Sequence, residues 1–288
     1  DMNIQWYPGH MIKAKRAMKE DIKLIDLVIE LVDARVPLSS RNPDIDDLAK
    51  GKARMVLLNK SDLADERVNA QWAAWFEAKN IHAVKVDSRN KGTLKQVQSV
   101  VQEACKEKIE RDRKRGIMNR PIRTMVVGIP NVGKSTFINS FAGKACAKTG
   151  NKPGVTKGNQ WIRLNKTLEL LDTPGILWPK FEDQAVGLKL ALIGSINDQI
   201  LNKDDLACRC IRILKERYPG MVSQRFGLET EDKEPAAILE DVARLRSCLM
   251  KGGELDIARA AAMVLDDFRS GKLGRVTLER PEDYKDKE

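Results

Sequence analysis

"GIPNVGKST", residues 128–136, follows the apolar run Thr124-Met125-Val126-Val127 and precedes a segment with helical spacing. Gly128 to Ser135 satisfies G-x-x-x-x-G-K-[ST] in full, which ordinary residue frequencies would give in about 1% of chains this long. A strand before it and a helix after it make this a phosphate cradle. The backbone N–H groups of Asn131, Val132, Gly133, Lys134, Ser135 and Thr136 are then expected to face a β-phosphate, as the helix dipole prefers. The Lys134 ammonium would neutralise the β- and γ-phosphates, and the Ser135 hydroxyl would ligate Mg²⁺.

Two further stretches follow the cradle. "LLDTPG" (170–175) places Asp172 at a strand end, where it would hold Mg²⁺ through water, and the Gly175 N–H would meet a γ-phosphate. D-x-x-G alone is uninformative. Its weight comes from sitting at a strand end some way after the cradle. Between them lies the loop "PGVTKG" (153–158), whose Thr156 could bring a hydroxyl and a carbonyl to Mg²⁺ and γ-phosphate.

More unusual is what precedes the cradle. "LVIELV" (27–32), "RMVLLNKSD" (54–62) and "IHAVKVDS" (81–88) read as strands, and "ERVNAQWAAWFEAKN" (66–80) has helical spacing with Val68, Trp72, Trp75 and Phe76 on one side. Strands alternating with helices predict a mostly parallel sheet covered on both faces. "NKSD" (59–62) ends the second strand. The Asp62 carboxylate can accept from both N1–H and the 2-amino group of guanine, donors that adenine lacks at those positions. Lys60 would lay its stem over the base, and Asn59 would either meet N7 or brace the loop. A site that pairs such donors rejects analogues lacking them by roughly 10⁴-fold. At Asp87-Ser88 the backbone could touch guanine O6, a weaker signal.

Base-reading pieces therefore come first and phosphate-reading pieces second. In this order the chain resembles the circularly permuted GTPases, with residues 93–123 as the linker joining the old termini; 93–115 is expected to be one helix. The likeness extends further. "WYPGHMIKAKRAM" (6–18), "DARVPLSSRNP" (33–43), "NKSDL", "GIPNVGKSTFIN", "KPGVTKG" and "DTPGIL" resemble the YlqF/RbgA family of ribosome-assembly GTPases over residues 3 to about 200. "LDIARAAAMVLDDFRSGKLG" (255–274) extends it more weakly. One departure is Asp87-Ser88, where the family more often has Ser-Ala.

The resemblance implies GTP hydrolysis tied to maturation of the large ribosomal subunit, with ribosomal RNA as partner. It also implies a hydrophobic residue, here Ile176, where many GTPases carry the glutamine that orients water. The family then offers His10 as the residue that positions water; taken alone, a histidine after Pro-Gly reads as a surface or packing residue in a turn. Asn131 resembles the asparagine of potassium-assisted GTPases, where K⁺ sits as an arginine finger would, although loop bracing explains it equally.

Composition fits this reading. Of the 288 residues 42% are hydrophobic, and no apolar run approaches the length of a bilayer span. Asp1 to Lys23 lacks an apolar core and is not expected to be a secretory signal. Five scattered cysteines (105, 146, 208, 210, 248) without a CxxC predict reduced thiols in a cytoplasm. Residues 1–180 hold 33 Lys and Arg against 20 Asp and Glu, whereas 181–288 hold 18 against 21. The first part thus attracts polyanions. Lys13, Lys15, Arg16, Lys19 and Lys23, with Arg111 to Arg115, Arg120 and Arg123, are either phosphate contacts or a solvated face. After Pro179 the pattern turns helical (204–220, 234–253, 254–272). The expected architecture is a permuted α/β GTPase domain (1–180) followed by a smaller all-helical domain (181–288), acting as a monomer without a membrane. The switch at Asp172–Ile176 would lead directly into that second domain.

Overall fold

The computed structural model describes residues 8–87, 89–118, 120–143, 147–148, 160–172, 175–180, 182–196 and 201–287. In chain order the elements begin α1 (Pro8–Ile22), β1 (Leu27–Asp33), α2 (Asp44–Leu48), β2 (Ala53–Asn59), α3 (Glu66–Glu77), β3 (His82–Val86), α4 (Lys91–Ala104) and α5 (Lys106–Lys114). They continue with β4 (Ile122–Gly128), α6 (Lys134–Ala142), β5 (Ala147–Lys148), β6 (Trp161–Asn165), β7 (Leu168–Leu171) and β8 (Gly175–Ile176). Then come α7 (Gln184–Leu192), α8 (Lys203–Arg217), α9 (Met221–Phe226), α10 (Pro235–Leu245) and α11 (Ile257–Arg269). No described helix is long and apolar enough to cross a membrane.

All eight strands join one mixed sheet, ordered β3-β2-β1-β4-β7-β6-β5, with β8 also pairing to β4. β1, β2, β3, β4 and β7 run parallel, and β6 and β5 turn antiparallel at one edge. Every residue of β1 is buried, as a near-continuous apolar run in a parallel sheet requires. The swapped order is explicit here: β1 pairs on one side with β2, which carries "NKSD", and on the other with β4, which carries the cradle.

Two ion pairs fix the segment after β1. The Arg35 guanidinium grips Asp33 at 2.9 Å with both residues almost fully buried. Arg41 forks onto Glu30 at 2.8 and 2.9 Å and also reaches Asp46. Burial would lower the Arg41 pKa, but Glu30 and Asp46 more than offset that and raise it. Breaking either pair would leave a buried charge uncompensated.

The chain packs as two compact units, one formed by Ile4–Lys180 with Glu279–Glu288, the other including Phe181–Leu278. In the second unit, α8, α10 and α11 bury apolar residues at helical spacing, such as Leu206, Cys210 and Leu214 on α8. The Arg269 guanidinium donates to the carbonyls of Ala191 and Leu192, closing the end of α7. The last ten residues thus pack with the first unit, unlike the expected division at 180. The buried Glu279 carboxylate accepts from the Leu38 and Ser39 N–H groups at 2.6 and 2.9 Å and from the Ser39 and Tyr284 hydroxyls at 2.8 Å. Trp72 Nε1 donates to the Glu279 carbonyl at 2.9 Å.

Two local expectations change. Residues 93–115 are not one helix, because the chain breaks at Cys105 between α4 and α5. Pro8-Gly9-His10 is the first turn of α1 rather than a turn before it; proline is suited to a helix start, where its missing N–H costs no bond.

The Glu279 contacts predict that Glu279→Ala, which orphans two backbone donors, lowers stability by about 2–3 kcal/mol. Chemical denaturation of the full chain reads this, and an unmoved midpoint would remove the tail from the list of stabilising elements.

Candidate nucleotide site

The sequence-predicted pieces converge at the C-terminal ends of β2, β3 and β4, where ligands of parallel sheets are held. The phosphate loop forms the floor. Asn131 takes a left-handed conformation (φ 68°), as does Gly133 (φ 99°). A side chain on Gly133 would lie 2.7 Å from Asn59 Nδ2, and one on Gly128 would lie 2.9 Å from the Leu31 carbonyl. Both glycines are therefore steric requirements. Ser135 and Thr136 are exposed in the first turn of α6, and Val132 is fully buried.

Asn59 is seen in the bracing role. Its side chain donates to the Val132 carbonyl at 3.0 Å, so it braces the phosphate loop from the base-reading strand. Its own carbonyl accepts from the Ala34 N–H at 2.8 Å. Lys60 adopts a left-handed conformation (φ 56°) that turns the chain into a short 3-10 helix, Ser61–Leu63. That turn is held by the Ser61 hydroxyl on the Val86 carbonyl at 3.1 Å and by Asn69 Nδ2 on the Ser61 carbonyl at 3.1 Å.

Sequence reasoning missed Arg89. Its guanidinium donates to Asp62 at 2.8 Å and approaches Asp87 at 3.5 Å, bridging two carboxylates that would otherwise repel. Those carboxylates, Asp87 first and then Asp62, raise the Arg89 pKa. A carboxylate where the family more often has serine was the available signal, since it calls for a nearby cation. Ser88 and Thr156 lie outside the described residues, as does the His10 side chain.

The opposite wall comes from the switch. The Asp172 carboxylate accepts from the Gln160 N–H at 2.8 Å. β8 pairs Gly175 with Val127 and Ile176 with Gly128, which sets the switch beside the cradle. A side chain on Gly175 would lie 2.8 Å from Met18 Cε and 2.9 Å from Val127. Helix α1 therefore rests on the switch glycine through Met18. His10 lies eight residues before Met18, roughly 12 Å up the helix axis.

Lys134 defines the electrostatics. It is only 7% exposed, and its Nζ donates to the Ile129 carbonyl of its own loop. Among the described residues no carboxylate pairs with it, and burial pushes its pKa down to about 8. A buried ammonium without an anion is costly, and a phosphate supplies the missing charge. Asp172, Ser135 and ligand oxygens suit Mg²⁺, a hard cation that keeps several waters and takes few protein ligands. Among the described residues there is no cluster of three or more His, Cys, Asp or Glu able to hold a metal.

The sign of the Lys134 effect is fixed. Without ligand its charge costs stability below about pH 8, and the cost fades as pH rises toward its ordinary 10.5. A bound phosphate restores its proton affinity, so GDP binding takes up a fraction of a proton near pH 8.5 and weakens as pH rises further. Calorimetry in two buffers of different ionisation enthalpy measures the uptake, which Lys134→Met should abolish. Equal uptake in that variant would place the titrating group elsewhere.

Comparison with known proteins agrees with this geometry. Residues 123–242 match the family described as 50S ribosome-binding GTPase. Ribosome biogenesis GTPase A of Bacillus cereus is 48% identical over 98% of this chain and 96% of its own length. The protein of the same name from Thermotoga maritima is 35% identical over 97% and 95%. The crystal structure of GNP-bound YlqF from T. maritima superimposes with a TM-score of 0.64 at 30% identity, covering 94% of this chain and 99% of that one. The GDP-bound YlqF structure gives 0.65 at 29% identity, covering 92% and 99%. With the cradle in mid-chain and the guanine-reading strand ahead of it, this chain belongs to the YlqF/RbgA family of circularly permuted GTPases, the ribosome biogenesis GTPase A proteins.

Proposed function

We propose that this GTPase docks on immature large ribosomal subunits through ribosomal RNA and that hydrolysis of GTP drives or times a late assembly step. The observation that carries this reading is the seat of α1. One side of that helix presents Lys13, Arg16 and Lys19 to solvent, and another rests through Met18 on the switch glycine. Lys15 is engaged by Asp44 at 3.2 Å and Lys23 by Glu20 at 3.3 Å, so the phosphate contacts fall to the other three. A particle that pulls on α1 therefore pulls on Gly175.

In the proposed mechanism Asp62 selects guanine, and Lys134 with the cradle N–H groups neutralises the β- and γ-phosphates. Thr156 and the Gly175 N–H sense the γ-phosphate. Ser135, Thr156 and Asp172 would hold Mg²⁺, which supplies charge neutralisation at the phosphates, and Asn131 would face K⁺. Ile176, 39% exposed, offers no hydrogen bond to water. His10 at the start of α1 takes that task once a particle moves the helix. The residues after 180, joined directly to the switch, would change orientation with the γ-phosphate. The protein is proposed to act as a monomer in the cytoplasm.

The test is turnover with and without large-subunit particles. His10→Ala should have a small effect on free turnover and reduce particle-stimulated kcat by roughly 10²-fold or more, with GTP affinity unchanged. Full stimulation in the variant would assign the water to another group. No stimulation of the wild-type protein would overturn the reading itself.

A further inference from the structure

The linker that the permutation required is richer in chemistry than its topological task demands. Residues 106–123 hold eight Lys and Arg against three Asp and Glu. Arg111, Arg113, Lys114, Arg115 and Arg120 are all exposed, and none forms an ion pair among the described residues. Of the three acids, Asp112 is already neutralised by Lys108 at 2.9 Å. The patch therefore presents a net excess of positive charge, although Asp112 also lies in the field of Arg111 and Arg120.

At its end the chain does something a solvated charged helix does not. α5 stops at Lys114, Gly116 turns left-handed (φ 75°), and Ile117 and Met118 follow, 40% and 77% exposed. They border a cleft of about 150 Å³, the size that accepts one aromatic ring. Ile109 and Ile122 line its apolar part, and Arg113, Arg120, Gln102, Thr167 and Asp112, whose carboxylate is held by Lys108, its polar part. Gln102 Nε2 donates to Thr167 at 3.3 Å, which leaves its amide oxygen as an acceptor. A ring-sized apolar slot with an amide acceptor, flanked by cations, matches an unpaired nucleobase between two phosphates. An apolar peptide would use the slot and leave the cations unanswered.

We propose that Ile109 to Met118, with Arg120, form a single-strand RNA contact, in which the cleft beside Ile117 and Met118 receives one unpaired base and the surrounding arginines and Lys114 hold the adjoining phosphates. This rests on the reading above that ribosomal RNA is the partner, and it names a contact remote from the guanine-reading and phosphate loops. The linker then docks the protein while α1 reports docking to the switch.

The experiment uses the full chain with a fluorescent, uridine-rich RNA single strand, the same strand in duplex form, and large-subunit particles. In Ile117→Ser/Met118→Ser, single-strand affinity should fall at least about fivefold with an unchanged salt slope, while duplex binding holds. In Arg113→Gln/Lys114→Gln/Arg115→Gln, both RNAs should bind more weakly and the single-strand salt slope should flatten by about 0.7 per lost contact. GTP affinity and melting temperature should match wild type in both. If wild type binds RNA and particles and neither variant weakens, the linker contact is wrong and the RNA reading stands. Weakening of particle binding alone would assign the cleft to a ribosomal protein and overturn the RNA contact. Wild type binding neither RNA nor particles would remove both readings together.

Discussion

A buried hydrogen bond from Asn59 Nδ2 to the Val132 carbonyl ties the strand ahead of the cradle to the phosphate loop. The base-reading strand and the phosphate loop come from segments separated by about seventy residues, and neither fixes the other through sequence proximity. Parallel pairing of β1 with both β2 and β4 brings the strand ends together. The bond then sets the loop relative to the turn that carries Asp62. Because Asn59 is 3% exposed, the bond is sheltered from competing water, and the glycine at 133 exists to leave that amide room. Circular permutation is tolerated because these constraints act in space and are indifferent to chain order.

The site is balanced between stored charge and close packing. Lys134 holds a buried ammonium with no carboxylate partner among the described residues, a charge that a bound phosphate would balance, so nucleotide binding and stability would be linked. On the other wall Gly175 is pinched between Met18 and Val127. Gly175 and α1 thus share a close contact through Met18. GTP hydrolysis in ribosome assembly is the activity of the family. On the proposed reading, the pinch is the physical route by which a docked particle moves the switch.

Much of this was legible in the sequence for identifiable reasons. The cradle, "NKSD" and the apolar runs of β1 and β4 are local patterns whose chemistry depends on neighbours in the chain. What escaped reading depends on residues far apart. Glu30 is a buried acid inside an apolar strand, held there because Arg41 forks onto it from beyond the strand's end and Arg54 of β2 reaches it at 3.4 Å. Glu279 belongs to the first unit because donors near residue 38 need its carboxylate, which no helical pattern in the tail reveals. The break at Cys105 is hidden in a stretch of good helix formers, where propensity alone favours continuity. Arg89 bridges Asp62 and Asp87, which are far apart in the chain, and the carboxylate at 87 is its only trace in the sequence. The early histidine was expected in a turn, yet proline at a helix start is as natural as proline in a turn, and packing of Met18 and Ile22 favours the helix.

The central claim is that Asp62, on the strand ahead of the cradle, reads guanine in the same site as Lys134. The most direct test is the pair of dissociation constants for GTP and xanthosine triphosphate, measured on wild type and on Asp62→Asn. An amide at this position can donate to the 2-oxo group of xanthine and can no longer accept both guanine donors. GTP affinity should therefore fall by roughly 10²-fold or more while xanthosine triphosphate affinity rises. Unchanged GTP affinity in the variant would contradict the account, because the base would then be read by something other than the strand that the permutation placed first.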